Sequence, residues 1–159
     1  MSDSKLSSTG RLSSSAQLIL SEESPAPSGR SKANLPQLRA ATRAYLAPAV
    51  ERVLRSTNVT TQDVMINGVP CLEVKPSVVT TPWPILYGFG GGFIQGSAFE
   101  DLTIAAPLSS ITGATVIIPC YRLAPENPWP AAIDDGFAVY QALCDSPFAI
   151  VGESAGGNL

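Results

Sequence analysis

Histidine is absent from the 159-residue sequence, and charged residues are scarce. Asp, Glu, Lys and Arg make up 14% of the residues, against about 25% in a typical soluble domain. After Lys75 the only basic residue is Arg122, and the net charge is -3. This charge balance gives no reason to expect nucleic acid or an anionic membrane as a partner.

Metal-binding and redox motifs are also missing. The three cysteines, Cys71, Cys120 and Cys144, form no C-x-x-C pair and lie in apolar runs, so we expect buried free thiols. Without histidine a zinc site is poorly supported, and we expect no metal and no cofactor. No run of about 18 apolar residues appears, so no stable membrane insertion is expected. The N-terminus lacks the apolar stretch of a secretory signal, which makes a cytoplasmic location the default expectation. Nothing indicates the oligomeric state.

The chain divides into three parts by composition. Residues 1–33 are rich in Ser and Pro. Such a segment buries too little apolar surface to offset the conformational entropy lost on ordering, so we expect a mobile tail. Residues 34–57 form a helical segment that begins at Asn34, as two short helices or as one helix kinked at Pro48. Residues 58–159 have the pattern of an α/β core.

Within this core, the pair Asn67-Gly68 joins two strand-like runs and predicts a β-hairpin over 59–74. Three short apolar runs then alternate with two helical segments, over 85–87, 99–112, 115–118, 131–144 and 148–151. The apolar stripe of the second helical segment is expected to face the core and comprises Ile133, Phe137, Tyr140 and Leu143 or Cys144. Alternating strands and helices predict a mostly parallel sheet, with the hairpin along one side.

The last apolar run leads into Gly152-Glu153-Ser154-Ala155-Gly156, a G-x-S-x-G pattern. In that pattern the serine is a nucleophile on a tight strand-to-helix turn. Small residues are needed two positions before and after it, because the strand and the helix approach closely. The alternatives are an ordinary Gly-rich turn and a phosphate-binding loop, but no G-x-x-x-x-G-K-[ST] or G-x-G-x-x-G follows a strand.

A second motif, Gly90-Gly91-Gly92, follows the strand at 85–87. Acyl transfer generates an oxyanion that needs backbone N–H donors without obstruction by side chains. Alone, three glycines indicate a flexible loop. Together with a nucleophile turn later in the chain, they predict an oxyanion hole.

Three blocks of this sequence, FGGGFIQGS, YRLAPENPWPAAIDD and GESAGGNL, resemble the signature blocks of the hormone-sensitive-lipase-like branch of the α/β-hydrolases. The resemblance spans about 84–159 and implies a carboxylesterase or lipase that acts on a small-molecule ester through an acyl-enzyme, without a cofactor. By position, Ser154 resembles the nucleophile. Gly90, Gly91, Gly92 and Ala155 resemble the oxyanion hole, with Gly90 shaping the turn. The 34–57 segment resembles part of the family's cap.

The sequence departs from the family in two places. Phe89 stands where the family has the histidine of H-G-G-G, and phenylalanine cannot make the hydrogen bonds by which that histidine holds the glycine loop. In α/β-hydrolases the triad acid and histidine follow the nucleophile, and Asp134, Asp135 and Glu153 lie too early to be that acid. We therefore expect the N-terminal half of a hydrolase, truncated just after the nucleophile turn and inactive alone. A non-catalytic small-ligand-binding member, receptor-like or a pseudoenzyme, and a non-functional gene fragment are the alternatives.

Overall fold

The computed structural model describes Ser13 and residues 34–159. The mobile tail expected over residues 1–33 lies, apart from Ser13, outside the described residues. The elements in chain order are α1 Leu35–Thr57, β1 Val59–Ile66, β2 Val69–Pro76, β3 Ile85–Gly88, α2 Leu102–Thr112, β4 Val116–Pro119, α3 Ala131–Leu143, β5 Ala149–Gly152 and a 3₁₀ turn Ser154–Gly157.

The five strands form one mixed sheet in the order β1-β2-β4-β3-β5. β3 is parallel to both β4 and β5, whereas β1, β2 and β4 pair antiparallel. The predicted hairpin is confirmed, because Asn67 and Gly68 both have the positive φ that a tight two-residue turn requires. The α/β class with the hairpin on one side is therefore confirmed.

Two apolar cores cover the two faces of this sheet. Alternate side chains of a strand point to opposite faces. Tyr87 and Ile118 accordingly belong to the larger core, under α1 and α2, whereas their neighbours Leu86 and Ile117 belong to the smaller core, under α3. β3 and β4 are thus buried on both sides, as their continuous apolar runs indicated. β5 has the same kind of apolar run but is largely exposed, because it is the last strand on its side of the sheet.

Helix α1 is one continuous helix with Pro48 in its interior, not two short helices. Its second half contacts the larger core through Val50, which is fully buried, and through Val53 and Leu54. In its first half Tyr45 is exposed. The α1 residues that contact the larger core therefore lie in the second half of the helix, although Leu35 at its start is also buried.

The predicted inward stripe of α3 was wrong for Phe137 and Tyr140, whereas Leu143 does pack against the smaller core. The buried residues of this helix are Ala131, Ala132, Asp135 and Val139, whereas 56% of Phe137 is exposed. Small side chains let α3 approach the sheet closely. Phe137 and Tyr140 instead line a groove of about 310 Å³ together with Ile150 of β5. Both sides of the helix are apolar, so periodicity could not select the side that meets the sheet.

The expectation of three buried thiols was correct only for Cys71, which is buried. Cys120 and Cys144 are exposed, because they directly follow the last residues of β4 and α3, where the chain leaves the core. Between residues 34 and 159, no helix has both the length and the apolar character needed to cross a bilayer.

Candidate active site

The two predicted motifs meet at the carboxyl ends of β3 and β5. β3 and β5 are parallel neighbours, and their last residues, Gly88 and Gly152, are paired in register. Beyond this pair, the Glu153 amide donates a hydrogen bond of 3.0 Å to the Gly88 carbonyl. The triglycine loop and the serine turn therefore leave the sheet side by side.

Ser154 occupies a strained backbone position at the end of β5. Its φ is 48°, in the left-handed region that a non-glycine residue rarely adopts, and a 3₁₀ turn begins at this residue. The side chain is exposed, and its hydroxyl makes no hydrogen bond within the part of the chain that the structure describes. The turn thus presents an accessible hydroxyl above the sheet edge.

Gly91 and Gly92 shape the neighbouring loop through positive φ angles of 122° and 64°. The Gly91 carbonyl accepts hydrogen bonds from the amides of Ile94 (3.3 Å) and Gln95 (3.1 Å), which closes the loop into a compact turn. Within residues 34–159, the amides of Gly91, Gly92 and Ala155 donate to no protein acceptor. Free N–H groups beside an accessible serine are what an oxyanion hole requires.

The Gly90 amide is used differently, because it donates to the Asp101 carboxylate at 3.3 Å. The same carboxylate oxygen accepts a hydrogen bond of 3.0 Å from the Tyr87 hydroxyl. Burial raises the pKa of Asp101, and these two hydrogen bonds offset only part of that increase. The Gly90 amide is therefore engaged by Asp101, whereas the amides of Gly91 and Gly92 are open.

Sequence reasoning missed Asp101. An acidic residue directly before a helix is ordinarily interpreted as an N-cap, and Asp101 does precede α2. No local pattern indicates that its side chain reaches back to Gly90. The carboxylate of Glu153 also lies against this glycine, because a Cβ atom built on Gly90 would collide with it.

Phe89 has a structural partner that the sequence did not reveal. Its ring is 2% exposed and stacks on Tyr121, with centroids 4.0 Å apart and planes within 4°. The Tyr121 hydroxyl donates a 2.6 Å hydrogen bond to the Phe89 carbonyl. The start of the glycine loop is therefore held by a stacked ring and by a bond to its backbone, without a histidine side chain.

Replacing Phe89 by alanine is expected to lower the free energy of unfolding by about 3–5 kcal/mol, because a fully buried ring leaves a cavity. Phe89→His can keep the stacking on Tyr121, so it should lower the free energy of unfolding by less than Phe89→Ala does. Urea denaturation followed by circular dichroism measures both changes. Phe137→Ala is the matched control, since 56% of that ring is already exposed. Equal losses for the two alanine variants would contradict the role assigned to Phe89.

The segment after Tyr121 is fastened to α3 by an ion pair. Asp135 accepts hydrogen bonds from the backbone amide of Arg122 at 2.8 Å and from its guanidinium at 2.7 to 3.1 Å. Burial of Asp135 raises the carboxyl pKa, but the hydrogen bonds and the charge of Arg122 outweigh burial, so the net pKa is lowered. The ion pair thus fixes the loop that carries Tyr121.

The lowered pKa predicts a pH dependence of stability. The contribution of Asp135 is fully present above the carboxyl's unfolded pKa of about 3.9, and it is lost as the pH falls through the lower folded pKa. The melting-temperature difference between wild type and Asp135→Asn should therefore be large at pH 6 and shrink at pH 3. Asp134→Asn, at the exposed neighbouring carboxyl, should show little difference at either pH. A difference for Asp135→Asn that stays constant down to pH 3 would contradict this assignment.

A cavity of about 150 Å³ adjoins the glycine loop at Phe93. Its other walls come from the proline-rich segment and the start of α3, including Trp129 and Ile133. The lining is almost entirely apolar. The loop that carries the free amides of Gly91 and Gly92 therefore also borders an apolar space large enough for a small group, although Ser154 does not line this space.

A glycine-flanked serine after the fifth strand and a triglycine loop after the third are the arrangement of an α/β-hydrolase-type sheet. Residues 85–159 match the family model described as "alpha/beta hydrolase fold". The structural neighbours of the chain include a hormone-sensitive lipase from a metagenome library, with a TM-score of 0.69 and 38% identity over 77% of this chain and 41% of that chain. The chain thus carries the alpha/beta hydrolase fold and resembles hormone-sensitive-lipase-like esterases.

Curated relatives have names of the same kind. The chain is 37% identical over 103 residues to the "Putative acetyl-hydrolase LipR" of Mycobacterium tuberculosis. This match covers 62% of this chain and 33% of that protein. It is 35% identical over 144 residues to "Probable carboxylesterase 6" of Arabidopsis thaliana. This second match covers 74% of this chain and 42% of that protein. The chain therefore spans less than half the length of these relatives.

Proposed function

We propose that this chain is the nucleophile-bearing part of a serine carboxylic ester hydrolase that acts on small-molecule esters. The observation that carries the proposal is the pairing of Gly88 with Gly152, which brings the triglycine loop beside the Ser154 turn. The family match and the names of the relatives support the same activity.

In the proposed reaction, the Ser154 hydroxyl oxygen attacks the ester carbonyl carbon and loses its proton to a base. The tetrahedral oxyanion is held by the amides of Gly91, Gly92 and Ala155, and its collapse breaks the bond to the alcohol, which leaves with a proton. Water then hydrolyses the acyl-enzyme and regenerates the serine. The apolar cavity beside Phe93 supports a substrate with a small apolar group.

The 159 residues contain no histidine to accept the serine proton. A serine without such a base stays weakly nucleophilic. We therefore propose that the isolated chain is silent as an esterase, and that activity requires an acid and a histidine placed opposite Ser154. The first test is incubation of the isolated chain with a short-chain aryl ester. Turnover above background that disappears in Ser154→Ala would refute the silence.

The second test supplies the missing groups in a hybrid. Residues 34–159 replace the corresponding part of the metagenome lipase, which keeps its own C-terminal half. We expect this hybrid to hydrolyse the aryl ester. A hybrid that melts cooperatively and binds the ester without turnover would instead favour the ligand-binding alternative.

A further inference from the structure

One arginine of α1 links the two loops beside the candidate site. The Nε of Arg39 donates to the Ile94 carbonyl at 2.8 Å, and its Nη2 donates to the Ala124 carbonyl, also at 2.8 Å. The same guanidinium forms a bidentate pair with the Glu126 carboxylate, at 3.0 and 2.9 Å. One side chain thus contacts segments that lie 55 and 85 residues further along the chain.

These acceptors belong to the loops that shape the candidate oxyanion hole. Ile94 belongs to the turn that the Gly91 carbonyl closes. Ala124 follows the segment that carries Tyr121, and its amide donates a 2.8 Å hydrogen bond to the Phe93 carbonyl. The two loops are therefore cross-linked directly to each other, and Arg39 joins both of them to α1.

The chemistry of this contact requires arginine. The guanidinium is planar and always charged, and it has five N–H donors in a fixed geometry, so it can serve two carbonyls and one carboxylate at once. Hydrogen bonds from a charged donor are stronger than neutral ones, and this side chain is only 25% exposed. A lysine has a single ammonium group and cannot reproduce this arrangement.

We propose that Arg39 is a positioning residue for the glycine loop. By fixing the carbonyls of Ile94 and Ala124, it holds the amides of Gly91 and Gly92 in one orientation without contacting the substrate. This inference rests on the proposed function, because it assigns a purpose to those amides.

Hydrogen–deuterium exchange followed by mass spectrometry tests the proposal on the chain itself and needs no substrate. In Arg39→Met, we expect exchange to accelerate about tenfold in peptides covering 90–96 and 121–127, since local opening loses charge-assisted hydrogen bonds. Exchange in the hairpin over 59–76 should stay at the wild-type rate. Arg39→Lys should restore only part of the protection in the two loops.

Arg55→Met is the matched control. It removes another arginine from the same helix. That arginine is 70% exposed, and its one ion-pair partner within residues 34–159 is Glu51, at 3.5 Å. This variant should leave both loops unchanged. Selective ¹⁵N-glycine labelling adds a spectroscopic signature, because the amide signals of Gly91 and Gly92 should shift in Arg39→Met while that of Gly68 stays in place.

Two results would overturn the proposal. One is unchanged exchange and unchanged glycine signals in the loops of Arg39→Met. The other is an equal acceleration in the hairpin, which would make Arg39 a general anchor of the fold. Either result is independent of the esterase assays, so it would leave the assignment of Ser154 standing.

Discussion

Replacing Gly156 by alanine is expected to lower the free energy of unfolding by at least about 4 kcal/mol, or to prevent cooperative folding. A Cβ atom built on Gly156 would collide with the Gly88 and Phe89 carbonyl oxygens, each closer than 3.0 Å. Both atoms belong to backbone at the end of β3, so no side-chain rotation relieves the clash. Urea denaturation followed by circular dichroism measures the loss.

Gly157→Ala is the control that separates this contact from the general cost of changing glycine. The nearest atom to a Cβ on Gly157 is the Gly152 carbonyl oxygen at 3.6 Å, which is ordinary van der Waals distance. We expect its stability to stay close to that of the wild type. Two variants of equal stability would show that the turn can move away from β3 at little cost.

This contact shows what the G-x-S-x-G spacing could and could not predict. The pattern indicated that the residues around Ser154 must be small. It did not indicate that Gly156 faces β3, because that depends on the strand order, in which β3 lies between β4 and β5. The short apolar runs predicted the strands, and the Asn67-Gly68 pair predicted the hairpin. Neither pattern indicates the order of the strands in the sheet.

The residues that support the candidate site were harder to find from the sequence. Arg39 lies on an amphipathic helix where an arginine is ordinarily a solvated side chain, and its partners are distant in the chain. Tyr121 was part of a recognised block, but its stacking on Phe89 depends on how the loop after β4 returns over the glycine loop. Such contacts are decided by packing between loops, which has no periodic signature.

In the hybrid that supplies an acid and a histidine, Ser154→Ala is expected to reduce kcat by about 10⁶-fold, the scale found when a serine hydrolase loses its nucleophile. The variant keeps the amides of Gly91, Gly92 and Ala155, so it should still bind the ester. The KM should therefore change far less than kcat. Steady-state kinetics with a short-chain aryl ester measures both parameters.

Ser110→Ala is the matched control, because that serine is exposed on α2 and away from the sheet edge that carries the site. It should keep the activity of the parent hybrid. A Ser154→Ala hybrid that retains turnover would assign the chemistry to another nucleophile. Equal losses in both variants would point to damage to the fold. A loss confined to Ser154 would show that the hydroxyl presented by the strained turn carries the reaction once a base is present.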